Sequence, residues 1–253
     1  VAANQWAQAV RVQLGIGRVL PLGGPADGSW ITEQAATGAL RAAAGTPAGV
    51  HLGSLRLSVA DPDRAPQPAV PAPPSALPPG PLRIEADFAA VAGRPLPTVA
   101  DQVRTALLEA SVRELGLVVG VVDLQVSELL DEDEAPSPPP ADRTQGPPAT
   151  PSAEERSGAT QEGPAGPTAV ARGVPGVARL APVLGGASRA VRYTDGHVLI
   201  QLATAPGYRA LDVSSAVRRA VAAAPAAPST VAVLVTAVGT ELTDAPAGRD
   251  ARR

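Results

Sequence analysis

The stretch Leu82-Arg-Ile-Glu-Ala-Asp-Phe88, then Thr98-Val-Ala-Asp-Gln-Val-Arg-Thr-Ala-Leu-Leu-Glu-Ala110, then Val122-Asp-Leu-Gln-Val126, decides the fold. In the first segment Leu82, Ile84, Ala86 and Phe88 alternate with Arg83, Glu85 and Asp87, the period of a half-buried strand. The second segment changes period. Val99, Val103, Ala106, Leu107 and Ala110 share one helical face, with Asp101, Arg104, Glu109 and Arg113 opposite. Thr98 stands at the expected N-cap, and Glu109–Arg113 has the favourable i,i+4 order. Val122, Leu124 and Val126 return to the strand period. Upstream, Leu55, Leu57 and Val59 alternate with Arg56 and Ser58 as a further strand. Before them, Ser29 and Thr32 are expected to cap a helix bearing Ile31, Ala35, Ala39, Leu40 and Ala43, closed by Gly45. The order over residues 28–130 reads αββαβ.

Residues 169–242 repeat the later elements. Val191 and Tyr193 precede Asp195-Gly196, a dipeptide suited to a two-residue hairpin turn. Val198, Ile200 and Leu202 form the return strand. Asp212 is expected to cap a helix carrying Val213, Val217, Ala220 and Val221 inward and Arg218 and Arg219 outward, and Val231, Val233 and Val235 close the unit. A shift of 114 positions carries Val99, Val103, Ala106 and Leu107 onto Val213, Val217, Ala220 and Val221, Gly93 onto Gly207 and Thr98 onto Asp212. Pro47-Ala-Gly-Val50 likewise parallels Pro175-Gly-Val177. The expected fold class is α+β: two related two-layer αββαβ units, each with helices on one face of a small sheet, arisen by duplication. In the second unit the first helix is short, about Val170 to Gly173, or missing.

Three segments are expected to lie outside the packed units. Residues 61–81 hold nine prolines and almost no large apolar side chains, so they read as an insertion at a hairpin tip. Residues 131–168 open with Asp131-Glu-Asp-Glu134, continue without hydrophobic periodicity and read as a disordered acidic, proline-rich linker. Residues 243–253 read as a disordered tail. Residues 1–27 comprise a Gly/Pro segment preceded by Trp6, Val10 and Leu14, whose spacing of four suggests a short amphipathic helix that needs a surface to pack on.

The composition removes whole classes of chemistry. Of 253 residues none is cysteine, so thiol nucleophiles, thiolate metal sites and disulfides are excluded. Two histidines, His51 and His197, cannot build a His-rich metal site. A net charge of −3 and an aromatic content of 2% argue against nucleic-acid binding, for which Arg218-Arg219 and Arg189 with Arg192 are the best local candidates. No apolar run reaches the roughly 18–20 residues of a membrane span. The opening Val1-Ala-Ala-Asn-Gln-Trp-Ala-Gln8 lacks a signal-peptide pattern, so a cytoplasmic location is expected.

Two resemblances follow from quoted motifs. Pro175-Gly-Val-Ala-Arg-Leu180, Asp195-Gly-His-Val-Leu-Ile200 and the helix and Val-rich strand after them resemble the alkaline-shock, envelope-stress-response family of Gram-positive bacteria. So do Ile31-Thr-Glu-Gln-Ala35, Leu96-Pro-Thr-Val-Ala100 and Val121-Val-Asp-Leu-Gln-Val126. The chain is also similar to an actinobacterial family that opens with a Trp-containing helix and a run like Gly17-Arg-Val-Leu-Pro-Leu-Gly-Gly-Pro25. Some genomes give that family a baculovirus P-ten fibre label, but no heptads accompany it here. The resemblance implies a non-catalytic scaffold or adaptor, often peripheral to the membrane.

Individual residues support no sharper chemistry. His51 at a strand start and His197 after a turn glycine read as strand-edge histidines. Ser188, Asp195 and His197 make a triad only on paper, because neighbours on one hairpin face opposite ways and no nucleophile elbow is present. Glu85 and Asp87, about 7 Å apart on one strand face, read with Arg83 as a solvated charge cluster. Gly15-Ile-Gly17 lacks the third glycine of a dinucleotide loop, and Asp131–Glu134 lacks the spaced ligands of a calcium loop.

No cofactor, metal, nucleic acid or small-molecule ligand is expected. A protein partner or self-association is, with any membrane contact peripheral and through a partner. The alternative is a small-ligand-binding or weakly catalytic protein using the groove between the units. One asymmetry marks a candidate interaction face. The outward strand positions are charged or polar in the first unit, whereas the second carries Leu199 and Leu234 there, inviting a cover such as the Trp6 helix, the first unit or a second copy.

Overall fold

The computed structural model describes residues 17–43, 49–131, 166–183, 189–225 and 227–239. The elements run β1 (Val19–Pro21), β2 (Ser29–Thr32), α1 (Glu33–Ala43), β3 (Val50–Val59), β4 (Leu82–Val91), α2 (Leu96–Ala110), β5 (Val119–Leu130), α3 (Pro167–Arg172), β6 (Val177–Leu180), β7 (Val191–Thr194), β8 (His197–Thr204), α4 (Ala210–Ala222) and β9 (Thr230–Ala237). The chain is mixed α+β. A three-stranded sheet has the order β3-β4-β5. A six-stranded sheet runs β1-β2-β9-β8-β6, with β7 continuing the line of β6 along β8. Trp6, Gly45, Ser188, most of the linker (132–165) and the tail lie outside the described residues.

The alternating stretches form strands where the period places them, and β4 buries Leu82, Ile84, Ala86, Phe88 and Ala90 while Arg83, Glu85 and Asp87 face out. In each half an antiparallel pair is followed by a parallel β–α–β crossover. Helix α2 joins β4 to β5, and α4 joins β8 to β9. The registers correspond in detail. Ile84 faces Val122 as Val198 faces Val231, and Phe88 faces Val126 as Leu202 faces Val235. Immediately after those last pairs both ladders skip one residue, at Ser127 and at Thr236. Gly93 and Gly207, each three residues before a helix start, hold positive φ of 96° and 77°.

Several expectations are corrected at the helix starts. Ser29 and Ile31 belong to β2 rather than to a helix, since Ser29–Ile31 pair in parallel with Val233–Val235. Thr32 does cap α1, its hydroxyl accepting from the Ala35 N–H at 3.3 Å. Thr98 and Asp212 do not cap. Their helices begin two residues earlier, after Pro95 and Arg209, both in extended conformation. Arg113 pairs with adjacent Glu114 at 3.0 Å, not with Glu109, because the helical turn over Ser111–Leu115 is widened to π geometry.

The two halves share one core. Because β2 joins the sheet of the second half, the first half extends across the boundary that composition drew. Helix α1 packs against β3 of the small sheet and β9 of the large one. Leu57, Ile84 and Phe88 therefore belong to the same buried cluster as Ile200, Val217 and Val233. Glu33 ties the sheets, its carboxylate accepting from the N–H groups of Arg18 and Leu57, each at 3.2 Å. Arg209 Nε donates to the Val112 carbonyl at 2.8 Å, joining α4 to the turn after α2.

The proline-rich segment packs, contrary to its reading as an idle hairpin tip. It does connect antiparallel β3 and β4, but on the way it crosses the outer face of the large sheet. Leu77 N–H donates to the Val19 carbonyl at 2.8 Å and Ala69 N–H to that of Pro25 at 3.0 Å. Val70 is buried with Val19, Trp30, Leu199, Ala232 and Leu234, and Ala76 and Val183 close the cluster. Extended proline backbone suits a strap of this kind, which needs few bonds and little side-chain ordering.

Candidate interaction surface

Leu199 and Leu234 are 6% and 0% exposed, so the face they mark is occupied by the chain itself and presents no docking surface. Of the covers expected, the first half supplies one, as the strap. A second comes from residues on either side of the loop between β6 and β7: Val183 N–H donates to Gln201 Oε1 at 2.9 Å, and Gln201 Nε2 to the Arg189 carbonyl. Gly28 lies under the strap at φ +51°. A Cβ there would meet Val70 Cγ2 at 2.7 Å and Arg218 Cζ at 2.9 Å.

Arg218, expected on an outward helical face, is a structural clamp. Its guanidinium donates to the carbonyls of Val231 (2.9 Å), Ala26 (3.2 Å) and Asp27, pinning the β1–β2 loop to α4 and β9. Burial lowers its pKa, while Asp27 opposes that shift. An open groove of about 530 Å³ lies beside it, bordered by Asp27, Ser215, Arg219 and Thr230. Arg219 is exposed.

The remaining candidates are dispersed. His197 starts β8 half-buried, its Nδ1 2.7 Å from Thr230 Oγ1, and burial holds its pKa below the ordinary value. Asp195 and Gly196, with φ of 48° and 78°, make the tight turn that the dipeptide predicts. The imidazole thus meets Thr230, while Ser188, the nucleophile of the paper triad, lies outside the described residues. His51 is half-buried in β3. Asp87 accepts from the Ser54 hydroxyl and, at 3.0 Å, from the Ser54 N–H, which holds its carboxyl below the usual range. Arg83 pairs with Asp123 at 2.5 Å across the strands, and Glu85 is exposed beside them. Among the described residues no group of His, Asp and Glu could hold a metal ion. No helix there is long and apolar enough to cross a membrane.

Among the described residues one long sheet edge is left open. The β1 edge is held by the strap through Val19 and Leu77. Side chains cover β3. Leu57 N–H bonds Glu33, the Leu57 carbonyl accepts from Arg18 (3.2 Å), and the carbonyls of Leu52 (3.1 Å) and Gly53 accept from Arg41. Strand β5, twelve residues long, pairs with β4 alone among the described residues.

The direction of its free groups follows from the ladder. Leu82 N–H donates to the Val118 carbonyl at 2.7 Å, so the even-numbered residues of β4 turn their amides toward β5. In a parallel ladder each bonds the residues flanking its partner. Ile84, Ala86 and Phe88 face Val122, Leu124 and Val126. Those three residues therefore point their own N–H and C=O groups outward. Their side chains lie on the core side of the sheet, yet Val126 is 38% exposed and Leu129 58%. Sequence reading gave β5 its apolar positions but could not show that its edge is bare. Edge or centre is a property of pairing, not of the strand.

Comparison with family models, with curated proteins and with solved structures finds no match.

Proposed function

We propose that this chain is a non-catalytic scaffold or adaptor of envelope-stress-response type, working in the cytoplasm or at the membrane periphery through a partner. The observation that carries the reading is the β5 edge: a long strand with outward amides at Val122, Leu124 and Val126 and exposed Val126 and Leu129. Such an edge is a template for adding a strand from another chain, with main-chain bonds giving affinity and apolar side chains giving register. The motifs shared with the alkaline-shock family supply the cellular process. Duplication of one αββαβ unit accounts for the matched registers and matched skips at Ser127 and Thr236, and it gives the protein one shielded unit and one presenting unit. The acidic, proline-rich linker between them is read as disordered.

The test is affinity capture from the native cell with the full chain and with Val126→Lys. The reading expects specific partners that the variant loses. A variant that captures the same set, or a chain that carries a tight small-molecule ligand by native mass spectrometry and no partner, overturns it.

A further inference from the structure

We infer that the β5 edge pairs with β5 of a second copy, antiparallel about Leu124, to make a continuous six-stranded sheet β3-β4-β5-β5-β4-β3. The inference rests on the adaptor reading of that edge and names its partner.

Three observations select this occupant. The first is the corresponding strand in the other half. The outer edge of β9 receives β2, so a β–α–β unit of this geometry accepts a further strand beyond its last one. The second is self-complementarity. Two identical edges related by a two-fold axis must pair antiparallel. With Leu124 opposite itself, Val122 lies opposite Val126, and the outward amides of all three meet directly as hydrogen-bonded pairs. The apolar row Val122, Leu124, Val126 then faces the same row on the same side of the sheet, and on the wet side Asp123 lies opposite Gln125. Glu128 lies opposite Gly120, so no like charges face each other. The third is that the edge is not defended. Between Val119 and Leu130 there is no proline, and no lysine or arginine to repel another strand. The sequence following β5 is a poor donor, since seven prolines fall between Pro136 and Pro151.

Sedimentation equilibrium of the full chain over a concentration series tests the inference. A reversible monomer–dimer equilibrium is expected. Val126→Lys, and Val126→Pro, which deletes an outward N–H, should weaken it about tenfold or more, whereas Val126→Thr should leave it unchanged. Circular dichroism of each variant checks that the fold is kept; the half-exposed position tolerates lysine. Since the chain has no cysteine, Leu124→Cys gives an independent readout. In the proposed register the two Cα atoms are about 5.5 Å apart, within disulfide reach, so mild oxidation should link the chains, and Glu85→Cys on the neighbouring strand should not. A chain that stays monomeric at every concentration overturns the inference, as does a dimer indifferent to Val126→Lys. A monomer whose other partners are lost in Val126→Lys overturns the second copy but leaves the adaptor reading standing. A dimer meeting these expectations that captures nothing else supports the inference and removes that reading.

Discussion

The crossover β4–α2–β5 and the crossover β8–α4–β9 share their register, their skipped residue and their glycine turn, yet one is wrapped and the other bare. Around β8 and β9 the strap and the residues flanking the β6–β7 loop cover the outer face, and β2 occupies the outer edge. Around β4 and β5 the outer face carries Arg83, Glu85, Asp87, Asp123 and Gln125, and among the described residues no further strand joins the β5 edge. The backbone is common to both. The side chains at outward positions differ, and those side chains decide whether a cover is worth its ordering entropy. A leucine placed outward gains roughly 1.5–3 kcal/mol from being covered, an aspartate nothing.

The largest effect expected from this contrast is on the wrapped face. Replacing Leu199 and Leu234 together by serine should cost at least about 4 kcal/mol in denaturant unfolding, since each removes a buried leucine and buries a hydroxyl. Stability within about 1 kcal/mol of the parent would break the comparison. Replacing residues 61–81 by Asp-Gly should cost about 2–3 kcal/mol, the burial of Val70 and what it shields. It should also make the large-sheet face bind an apolar dye. A neutral outcome would return the segment to the status of an idle hairpin tip. Glu33→Ala should cost about 1.5–3 kcal/mol, because its carboxylate receives two backbone N–H groups and helps cover the β3 edge. Glu85→Gln on the bare face should stay within about 0.5 kcal/mol. A loss like that of the leucines would mean that this face too is covered.

Acid sharpens the same contrast, because the two crossovers carry differently placed titrating groups. His197 has a pKa lowered by burial, so the folded state resists protonating it. Above the unfolded value of about 6.5 the residue is neutral in both states and the fold keeps its full stability. As pH falls below that value the unfolded chain takes up the proton first, and stability is lost until the folded pKa is reached. In Asp87 the Ser54 hydrogen bonds stabilise the carboxylate and lower the pKa. That contribution is present above about pH 3.9 and is lost as pH falls through the folded value. Urea midpoints measured from pH 7 to 3 should therefore decline in two windows. His197→Gln should remove the upper one, and Ser54→Ala should shrink the lower.

The strand periodicities of Leu82–Phe88, Val122–Val126 and Val198–Leu202, the helices that follow Thr98 and Asp212, apart from their first turns, and the Asp195-Gly196 turn were legible in the sequence, because each depends on neighbours within a few residues. Where a local rule met a competing tertiary partner it failed. Ser29 and Ile31 satisfy a cap-and-helix pattern, but the free edge of β9 offers their backbone a full parallel ladder. The Arg218 clamp left no signal, because an arginine on a helix looks the same whether it meets water or three carbonyls.

By itself, then, the sequence determined the type of each strongly periodic element and the asymmetry between a polar and an apolar outer face, since both are written in the order of side chains along the chain. Only the tertiary structure decided that one core joins the halves, that a proline-rich segment is the cover, and that β5 is an edge while β9 is not. Each of those outcomes turns on pairings between residues far apart in the chain. Every residue but proline offers the same backbone N–H and C=O, so the sequences of β5 and β9 do not say which strand lies beside each.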